Sequence, residues 1–343
     1  MLSLIKELCC LDGVSSAEDE VRAFIRAKAE PYADQIRTDV MGNLIVFKKG
    51  ERAAGSKLML TAHMDEVGFI VNDITDDGYL KFAAVGGIDR RVVIGKKVRI
   101  GDRKVPGVVG LKAYHLVTAE EEKTIPKLDD MYIDIGAKDR EAAEALVALG
   151  DLAAFDSDAV EFGDGMLKAK AIDDRVGCAV MLRLIQQDLP MDCLFVFSAQ
   201  EEVGTRGAFG AAFSVTPEIA LVLEGTTAAD LPGTAAHKRV AVPGKGPVLS
   251  FMDGGTAYDR ELFELLRRLA QENDIPWQTK DYISGGNDAS AIQRTKAGVR
   301  VAAVSAPVRY LHTPSSVAAV RDFDHMHTLT RKFIEAIAAS SNQ

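Results

Sequence analysis

Cysteine is scarce in this chain of 343 residues, which has four cysteines, at positions 9, 10, 178 and 193. Two of them are adjacent and none forms a CxxC pair, so the sequence favours neither a disulfide framework nor a thiolate metal site. Long apolar runs are also missing, because Lys6 and Glu7 interrupt the first one and none approaches the roughly 18 residues of a spanning helix. We therefore expect a cytoplasmic protein with reduced thiols and no membrane partner.

Basic residues are fewer than acidic residues in this chain. The 41 lysines and arginines face 50 aspartates and glutamates, which gives a net charge of -9. This charge repels phosphate backbones, so nucleic acid is not an expected partner. Apolar residues make up 47% and charged residues 27%, a balance that excludes a disordered chain, a collagen-like repeat or a disulfide scaffold. The length is typical of about two domains.

Strand and helix patterns alternate in the first and last parts of the chain. Apolar runs predict buried strands at 44–47, 58–61, 194–197, 219–223 and 299–305. Helical spacing predicts helices near the start and at 175–187, 260–272 and 322–339. This alternation indicates an α/β protein, an αβα sandwich with a largely parallel mixed sheet.

A different pattern fills positions 68–163. Short β-rich runs are interrupted by glycines there, with one short helix predicted at 140–149. We interpret this segment as an inserted, small β-barrel-like domain. The remaining chain, 1–67 and 164–343, then forms a discontinuous larger domain.

Residues of metal-ligand type follow the predicted strands of the larger domain. They are His63, Asp65, Glu201, Glu202, Glu224 and His312. In open α/β sheets the carboxyl ends of the strands line the ligand crevice, so segments that are far apart in sequence converge there. We therefore expect one cleft to hold all of these side chains.

Two adjacent aspartates, Asp173 and Asp174, stand just before a predicted helix, where one can cap the helix and the other can point away. Imidazole and carboxylate ligands without thiolate suit zinc, cobalt or manganese in a catalytic site. A pair of metal ions needs one bridging carboxylate, and Asp173 is the natural bridge. Asp65 follows His63 by two positions and is placed to accept its other imidazole N–H.

Each motif also has a plain structural interpretation. A single histidine is more often a core residue, an acidic pair is usually solvated, and two aspartates before a helix usually cap it. Their occurrence together at predicted strand ends favours the metal site.

Two further features each allow two interpretations. His115 either packs in the insert or reaches a catalytic cleft of its own or a neighbouring subunit. The residues at 285–288 form either a simple turn or a turn that contacts the substrate.

Five strings in the chain resemble a known family. They are LTAHMDEVGFIV (60–71), KAKAIDDRVGCAV (168–180), FSAQEEVGTRGA (197–208), SGGNDASAI (284–292) and RYLHTPSS (309–316). In order and spacing they resemble the tetrahedral (TET) and glutamyl aminopeptidases, a family of two-metal exopeptidases, and the likeness runs over nearly the whole chain. It implies a metal-dependent aminopeptidase acting on short peptides, with a metal-activated water as nucleophile and Glu201 as general base.

The resemblance also implies a ligand set by position. His63, Asp173 and Glu224 would hold one divalent ion, and Asp173, Glu202 and His312 would hold the other. The ions implied are zinc, cobalt or manganese. The family commonly has aspartate at the position of Glu224, so this chain has one extra methylene group in that ligand.

The resemblance further implies a homo-oligomer, a dodecamer built from dimers, in which the segment 68–163 contacts neighbouring subunits. The residues themselves leave other functions open. A metal-dependent amidohydrolase or deacylase of N-acyl amino acids would use similar ligands. An endoglucanase-like glycosidase needs two facing carboxyl groups but gives the histidines no role, and a non-catalytic scaffold or sugar-operon partner needs no turnover. Acidic or aliphatic N-terminal residues are the first expectations for the substrate.

Overall fold

The computed structural model describes residues 1–53 and 57–340. Its helices are α1 (Leu2–Cys10), α2 (Asp19–Ala29), α3 (Arg140–Glu144), α4 (Ile172–Ile185), α5 (Arg206–Val215), α6 (Arg260–Glu272), α7 (Ala289–Ile292) and α8 (Val320–Ser340). Its strands are β1 (Gln35–Thr38), β2 (Leu44–Lys48), β3 (Leu58–His63), β4 (Gly68–Ile74), β5 (Leu80–Val85), β6 (Lys97–Ile100), β7 (Val105–Gly110), β8 (Tyr132–Asp134), β9 (Leu152–Phe155), β10 (Val160–Phe162), β11 (Met166–Ala169), β12 (Cys193–Ser198), β13 (Ile219–Thr227), β14 (Val248–Leu249), β15 (Gln278–Thr279), β16 (Arg300–Arg309) and β17 (Ser316–Ala319). Within this described part of the chain, no helix combines the length and the apolar character needed to cross a membrane.

One large sheet carries most of the strands outside the insert. Its order is β1-β2-β12-β3-β13-β16-β17-β11-β10, and β14 pairs with both β15 and β16. The four central strands β12, β3, β13 and β16 run parallel to their neighbours within this group, whereas the strands on both sides of it pair antiparallel. The predicted α/β fold with a mixed sheet is confirmed, and its parallel part is the centre.

Helices cover both faces of this sheet. In β13, Leu221 and Leu223 belong to the apolar core that includes α1, α2, α4, α6 and α8, whereas Ala220 and Val222 belong to a second core beneath α5 and α7. Successive side chains of a strand point to opposite faces, so this alternation shows that each face is covered by its own helical layer. The predicted αβα sandwich is confirmed.

The insert folds as a closed six-stranded barrel in the order β4-β5-β8-β7-β6-β9. The Phe69 ring lies edge-on to Phe82 and Phe155 in its core, with ring centroids 4.9 and 5.2 Å apart. Closure leaves the barrel without a free strand edge, which confirms the barrel-like insert. The predicted segment 68–163 also contains β10, but this strand pairs with β11 in the large sheet.

A buried ionic network joins the chain segments that flank the insert. The Glu66 carboxylate accepts hydrogen bonds from Lys170 Nζ at 2.5 Å and from the Gly13 backbone N–H at 3.1 Å. Arg175 is fully buried and lies 3.4 Å from the same carboxylate, and its Nε donates to Met64 O at 3.0 Å. Buried ions persist only when they are paired and hydrogen-bonded. The network therefore fixes the segment after β3 beside the start of α4.

Candidate functional site

The seven predicted site residues all lie at the edge of the large sheet where the parallel strands end. They are His63, Asp65, Asp173, Glu201, Glu202, Glu224 and His312. His63 and Glu224 lie in strands β3 and β13, and Asp173 lies in the first turn of α4. The others lie in the loops that follow β3 (Asp65), β12 (Glu201 and Glu202) and β16 (His312). Strand β13 continues to Thr227, so Glu224 lies inside the strand and not at the end of the predicted strand 219–223.

The Asp173 carboxylate lies between the two imidazoles. Its Oδ1 is 3.4 Å from His63 Nε2, and its Oδ2 is 3.7 Å from His312 Nε2. On the outer sides, Glu224 Oε1 is 3.3 Å from His63 Nε2, and Glu202 Oε2 is 3.2 Å from His312 Nε2. We call His63 with Glu224 the His63 half-site and His312 with Glu202 the His312 half-site. The Asp173 carboxylate is common to both half-sites.

Ligand atoms are close enough to share one ion in two overlapping groups. These are His63 with Asp173 and Glu202, and His63 with Asp174 and Glu224, and within each group the atoms lie within 4.8 Å of one another. Asp174 is also the predicted helix cap, since it accepts a hydrogen bond from the Gly177 backbone N–H at 3.0 Å. Its other oxygen accepts from the His63 backbone N–H at 3.1 Å, so the same carboxylate positions a candidate ligand.

Asp65 is fully buried and contacts three other site residues. Its carboxylate accepts hydrogen bonds from the backbone N–H groups of Glu201 at 3.0 Å and Glu202 at 3.1 Å, and from Ser15 Oγ at 2.6 Å. His63 Nδ1 is 3.4 Å from Asp65 Oδ1 and 3.1 Å from the Asp65 backbone oxygen. One carboxylate therefore sets both the adjacent glutamates and the imidazole.

The barrel also contributes to the site. His312 Nδ1 lies 2.7 Å from the backbone oxygen of Gly87. The preceding residue, Gly86, has φ +82°, and a Cβ atom built there would lie 2.8 Å from Val67 Cγ1 and 3.3 Å from Glu202 Cβ. We call residues 86–87 the barrel loop. It packs against both members of the His312 half-site.

Crowding of buried acids shifts their protonation. Burial raises the pKa of Glu224 well above its ordinary value, and the Asp173 carboxylate adds to the increase. Burial likewise raises the pKa of Glu201 well above its ordinary value, with further repulsion from Asp288 and Glu202. Burial raises the pKa of Glu202 to about 7. The cluster therefore has more buried acid than its own side chains can neutralise.

The imidazoles and the shared carboxylate shift in the opposite sense. Burial opposes protonation of His63, but Glu224, Asp173 and Asp65 outweigh it and raise its pKa well above the ordinary value. Burial also opposes the charge on His312, yet Asp173 and Glu202 raise its pKa to about 9. For Asp173, burial is outweighed by hydrogen bonds from both histidines, which lower its pKa. The centre of the cluster thus favours the ionised carboxylate.

A cavity of about 400 Å³ opens on the cluster. The turn at 285–288, for which the sequence allowed either a simple turn or a substrate contact, lines this cavity through Gly285, Gly286 and Asn287. Asp288 lies fully buried behind the turn, where its Oδ2 accepts a hydrogen bond from Ser198 Oγ at 2.5 Å. The turn thus faces the same space as the candidate ligands. His115 lies exposed in a 3-10 turn of the insert.

Sequence reasoning missed two contributors to this cavity. Lys280 is buried and lines it, directly after the two-residue strand β15. A strand of that length has no periodic signal that would mark the lysine. Gly87 contributes a backbone oxygen, and a backbone atom leaves no residue-specific signature.

The chain matches the model of the M42 glutamyl aminopeptidase family over residues 42–329. A protein of Acetivibrio thermocellus described as a candidate aminopeptidase is 40% identical over 98% of this chain and 98% of its own length. A lysyl aminopeptidase of Pyrococcus furiosus is 31% identical, over 97% of this chain and 96% of its own length. These relatives are similar to the chain across both the large sheet and the barrel.

Solved structures show the same likeness. A TET aminopeptidase from a marine sediment archaeon, Thaumarchaeota archaeon SCGC AB-539-E09, superposes with a TM-score of 0.94 at 32% identity, covering 99% of this chain and 98% of that one. The TET1 peptidase of Pyrococcus horikoshii, described as assembling into a tetrahedron or a large octahedral shell, has a TM-score of 0.86 at 31% identity, covering 96% and 98%. The chain therefore belongs to the M42 family of glutamyl aminopeptidases and is a metal-dependent hydrolase that acts on peptide bonds.

Proposed function

We propose that this aminopeptidase holds two divalent cations, with Asp173 as the ligand common to both. The observation that carries the proposal is the division of its two oxygens between His63 at 3.4 Å and His312 at 3.7 Å. Glu224 would complete the His63 half-site, and Glu202 would complete the His312 half-site. A carboxylate between two imidazole–carboxylate pairs is the arrangement that a two-metal site requires.

The donor chemistry supports this assignment. Two imidazoles and several carboxylates without a thiolate suit zinc, cobalt or manganese, and the four cysteines lie elsewhere or are inert. Cys178 is buried near the cluster, where its Sγ donates to the His63 backbone oxygen, and burial raises the pKa of its thiol well above the ordinary value. A doubly charged cation would displace the protons that the buried acids otherwise hold. The choice among the three metals depends on how Glu224, with its extra methylene, reaches the ion.

We assign Glu201 the role of general base. When bound, the cations would polarise the scissile carbonyl and lower the pKa of water. Glu201 would take the proton of the attacking water and return it to the leaving amine. Its carboxyl group lines the cavity and makes no hydrogen bond or ion pair within residues 1–53 and 57–340. Asp65 would fix its backbone and so keep the carboxyl group in place.

We further propose that the substrates are short peptides and that the protein is a homo-oligomer, a dodecamer built from dimers. The TET1 peptidase of Pyrococcus horikoshii, which can assemble into a tetrahedron or a large octahedral shell, supports the homo-oligomer. The insert also has large apolar side chains on its surface, including Tyr114 and Leu116, which are 80% and 57% exposed. Exposed apolar groups of this kind suit contacts between subunits. In this proposal residues 1–67 and 164–343 are catalytic and 68–163 serve assembly.

A panel of amino acid p-nitroanilides tests the proposed function. The protein would be stripped with a chelator and reloaded with zinc, cobalt or manganese, and metal content would be measured beside hydrolysis. We expect turnover of at least one substrate and two metal equivalents per chain. N-acetylated versions of the same substrates should resist hydrolysis, because an aminopeptidase requires the free amine. Inactivity with every metal, or cleavage confined to the N-acetylated set, would contradict the proposal and favour the deacylase.

The barrel loop gives a separate prediction about metal binding. In Gly86→Ala the new Cβ would clash with Val67 and press on Glu202, so Gly87 and its contact to His312 would shift. Loss of a group that orients a metal ligand weakens binding by about 10- to 100-fold. Calorimetric titration of the chelated protein should show one weakened site and one intact site.

The matched control for the barrel-loop variant is Gly136→Ala. Gly136 also has a positive φ, +73°, but a Cβ atom there would meet nothing within 4 Å. It therefore reproduces the backbone strain of an alanine in this region without the clash. Equal titration curves for Gly86→Ala and Gly136→Ala would show that the barrel loop does not position His312.

A further inference from the structure

We propose that Glu18 is a positioning residue for the general base, because its buried carboxylate holds the backbone of Gln200 in a left-handed conformation that directs Glu201 into the cavity. This inference rests on the proposed function, in which Glu201 acts as the base. It adds a residue that immediately precedes α2, outside the candidate metal ligands and outside the residues that line the cavity.

Gln200 has a backbone conformation that residues with a Cβ atom rarely adopt. Its φ is +58°, in the left-handed region that is sterically unfavourable for them. The residue lies between the end of β12 at Ser198 and the base Glu201, so the direction of the chain here decides where the Glu201 carboxyl group lies. An unfavourable conformation of this kind persists only when the surrounding contacts stabilise it.

Glu18 supplies such a contact. Its Oε1 accepts hydrogen bonds from the backbone N–H groups of Gln200 at 3.1 Å and Ser16 at 2.8 Å. Ser16 also has a positive φ, +78°, so one carboxylate oxygen binds the N–H groups of two left-handed residues in two different loops. A charged acceptor makes a stronger hydrogen bond than a neutral one. The carboxylate therefore stabilises an unfavourable conformation in both loops.

The Glu18 carboxylate is itself held in place. Only 2% of Glu18 is exposed, and its Oε2 lies 3.7 Å from Arg22 Nη2. The Arg22 guanidinium also donates from Nε to the Gly42 backbone oxygen at 2.7 Å. Burial raises the pKa of Glu18, although the hydrogen bond from the Ser16 backbone opposes this increase. A buried acid needs partners of this kind, and here the partners include the loop that carries the base.

Glu18 and Asp65 together define the backbone torsions of Gln200. The N–H of Gln200 belongs to the peptide plane before this residue and is bound by Glu18. The N–H of Glu201 belongs to the plane after it and is bound by Asp65. Because peptide planes are rigid, their relative rotation is set by φ and ψ of the residue between them. Two buried carboxylates therefore fix the one residue that turns the chain toward the base.

The first experiment removes the acceptor at residue 18. Leucine in Glu18→Leu occupies much of the space but accepts no hydrogen bond. We expect kcat to fall about 10- to 100-fold, since a displacement of about 1 Å at a reacting group has an effect of this size. KM and both metal equivalents should be retained, because Asp65 still binds the backbone of Glu201 and Glu202. Glu18→Gln keeps an acceptor oxygen and should stay within about fivefold of the wild-type kcat.

The control is Glu20→Leu, the same substitution on the same helix. The Glu20 carboxylate accepts from Lys104 Nζ at 2.7 Å and does not contact the loop at Gln200, so this variant should keep the wild-type kcat. The kinetic constants are measured on the best p-nitroanilide of the panel, with metal content and Tm on the same samples. An unchanged kcat in Glu18→Leu would overturn the inference, and so would equal losses in Glu18→Leu and Glu18→Gln.

A second set of variants acts on Gln200 and does not require Glu18→Leu to fold. Valine is β-branched and strongly disfavours a positive φ, whereas asparagine tolerates it. Gln200→Val should therefore lower kcat with the metal retained, and Gln200→Asn should lower it far less. Equal kcat values for these two variants would contradict the inference.

Glycine at residue 200 gives a test by recovery. Glycine adopts a positive φ without steric cost, so adding Gln200→Gly to Glu18→Leu should recover kcat by about fivefold or more. Absence of any recovery would show that Glu18 does not act through the backbone of Gln200. Inactivity of the wild-type protein toward every substrate with all three metals would instead refute the proposed function, and it is measured without any variant.

Discussion

Glu201→Gln is expected to lower kcat by about 10²- to 10⁴-fold, the usual contribution of a general base, while both cations stay bound. Glutamine keeps the size of the side chain and its position after β12 but cannot accept and return a proton. The Asp65 contact to the backbone of residue 201 is unaffected by this change. The measurement is kcat on the best p-nitroanilide of the panel, with metal content determined on the same sample.

The adjacent residue supplies the control for this experiment. Glu202 lies 3.2 Å from His312 Nε2, so Glu202→Gln should lower metal content at the His312 half-site as well as activity. The two glutamines would thus separate proton transfer from metal binding within one dipeptide. Near-normal turnover of the fully loaded Glu201→Gln protein would remove Glu201 from the mechanism.

Asp173→Asn is expected to weaken the binding of both cations by more than about 100-fold, beyond the effect of losing a group that only orients a ligand. The amide has one oxygen, so it cannot offer a separate oxygen to the cation beside His63 and to the cation beside His312. It also has no negative charge. Activity should fall with the metal. Thermal unfolding gives a second measurement, because bound metal raises the Tm of the wild-type protein by mass action and should leave the Tm of the variant nearly unchanged.

An exposed aspartate, Asp188, provides the control for this variant. Asp188→Asn should retain two metal equivalents and the full increase in Tm. If Asp173→Asn also retained two tightly bound equivalents, the shared-carboxylate arrangement would be wrong even if the enzyme proved to be metal-dependent.

Much of this fold follows from sequence periodicity. The elements that were not predicted lack a clear local signal for physical reasons. Helix α5 contains Gly207 and Gly210, which lower intrinsic helix propensity. Gly207 is required by packing, since a Cβ there would lie 2.2 Å from Asn43 Oδ1 and 2.3 Å from Ala199 O. Strands β14 and β15 have two residues each, too few for an alternating pattern. Tertiary contacts define these elements, and local sequence does not.

The candidate site was predictable to the extent that its side chains follow buried strands. His63, Glu201 and His312 could be found in this way because parallel strands bring their carboxyl ends together. The contacts that orient them could not be predicted. The Gly87 oxygen contacts His312 from the barrel loop, and the Asp174 carboxylate accepts from the His63 backbone N–H from the adjacent helix α4. Such contacts depend on the relative placement of the barrel and the sheet.

The ion pair between Glu66 and Lys170, at 2.5 Å, holds together the two chain segments that enter and leave the barrel. A segment whose two ends are fastened together can change in length or content without rerouting the polypeptide around it. We therefore expect the barrel to tolerate changes in length and content better than the strands of the large sheet do. Among the described residues of the barrel, residues 86–87 contact both members of the His312 half-site, so variation should be poorly tolerated there.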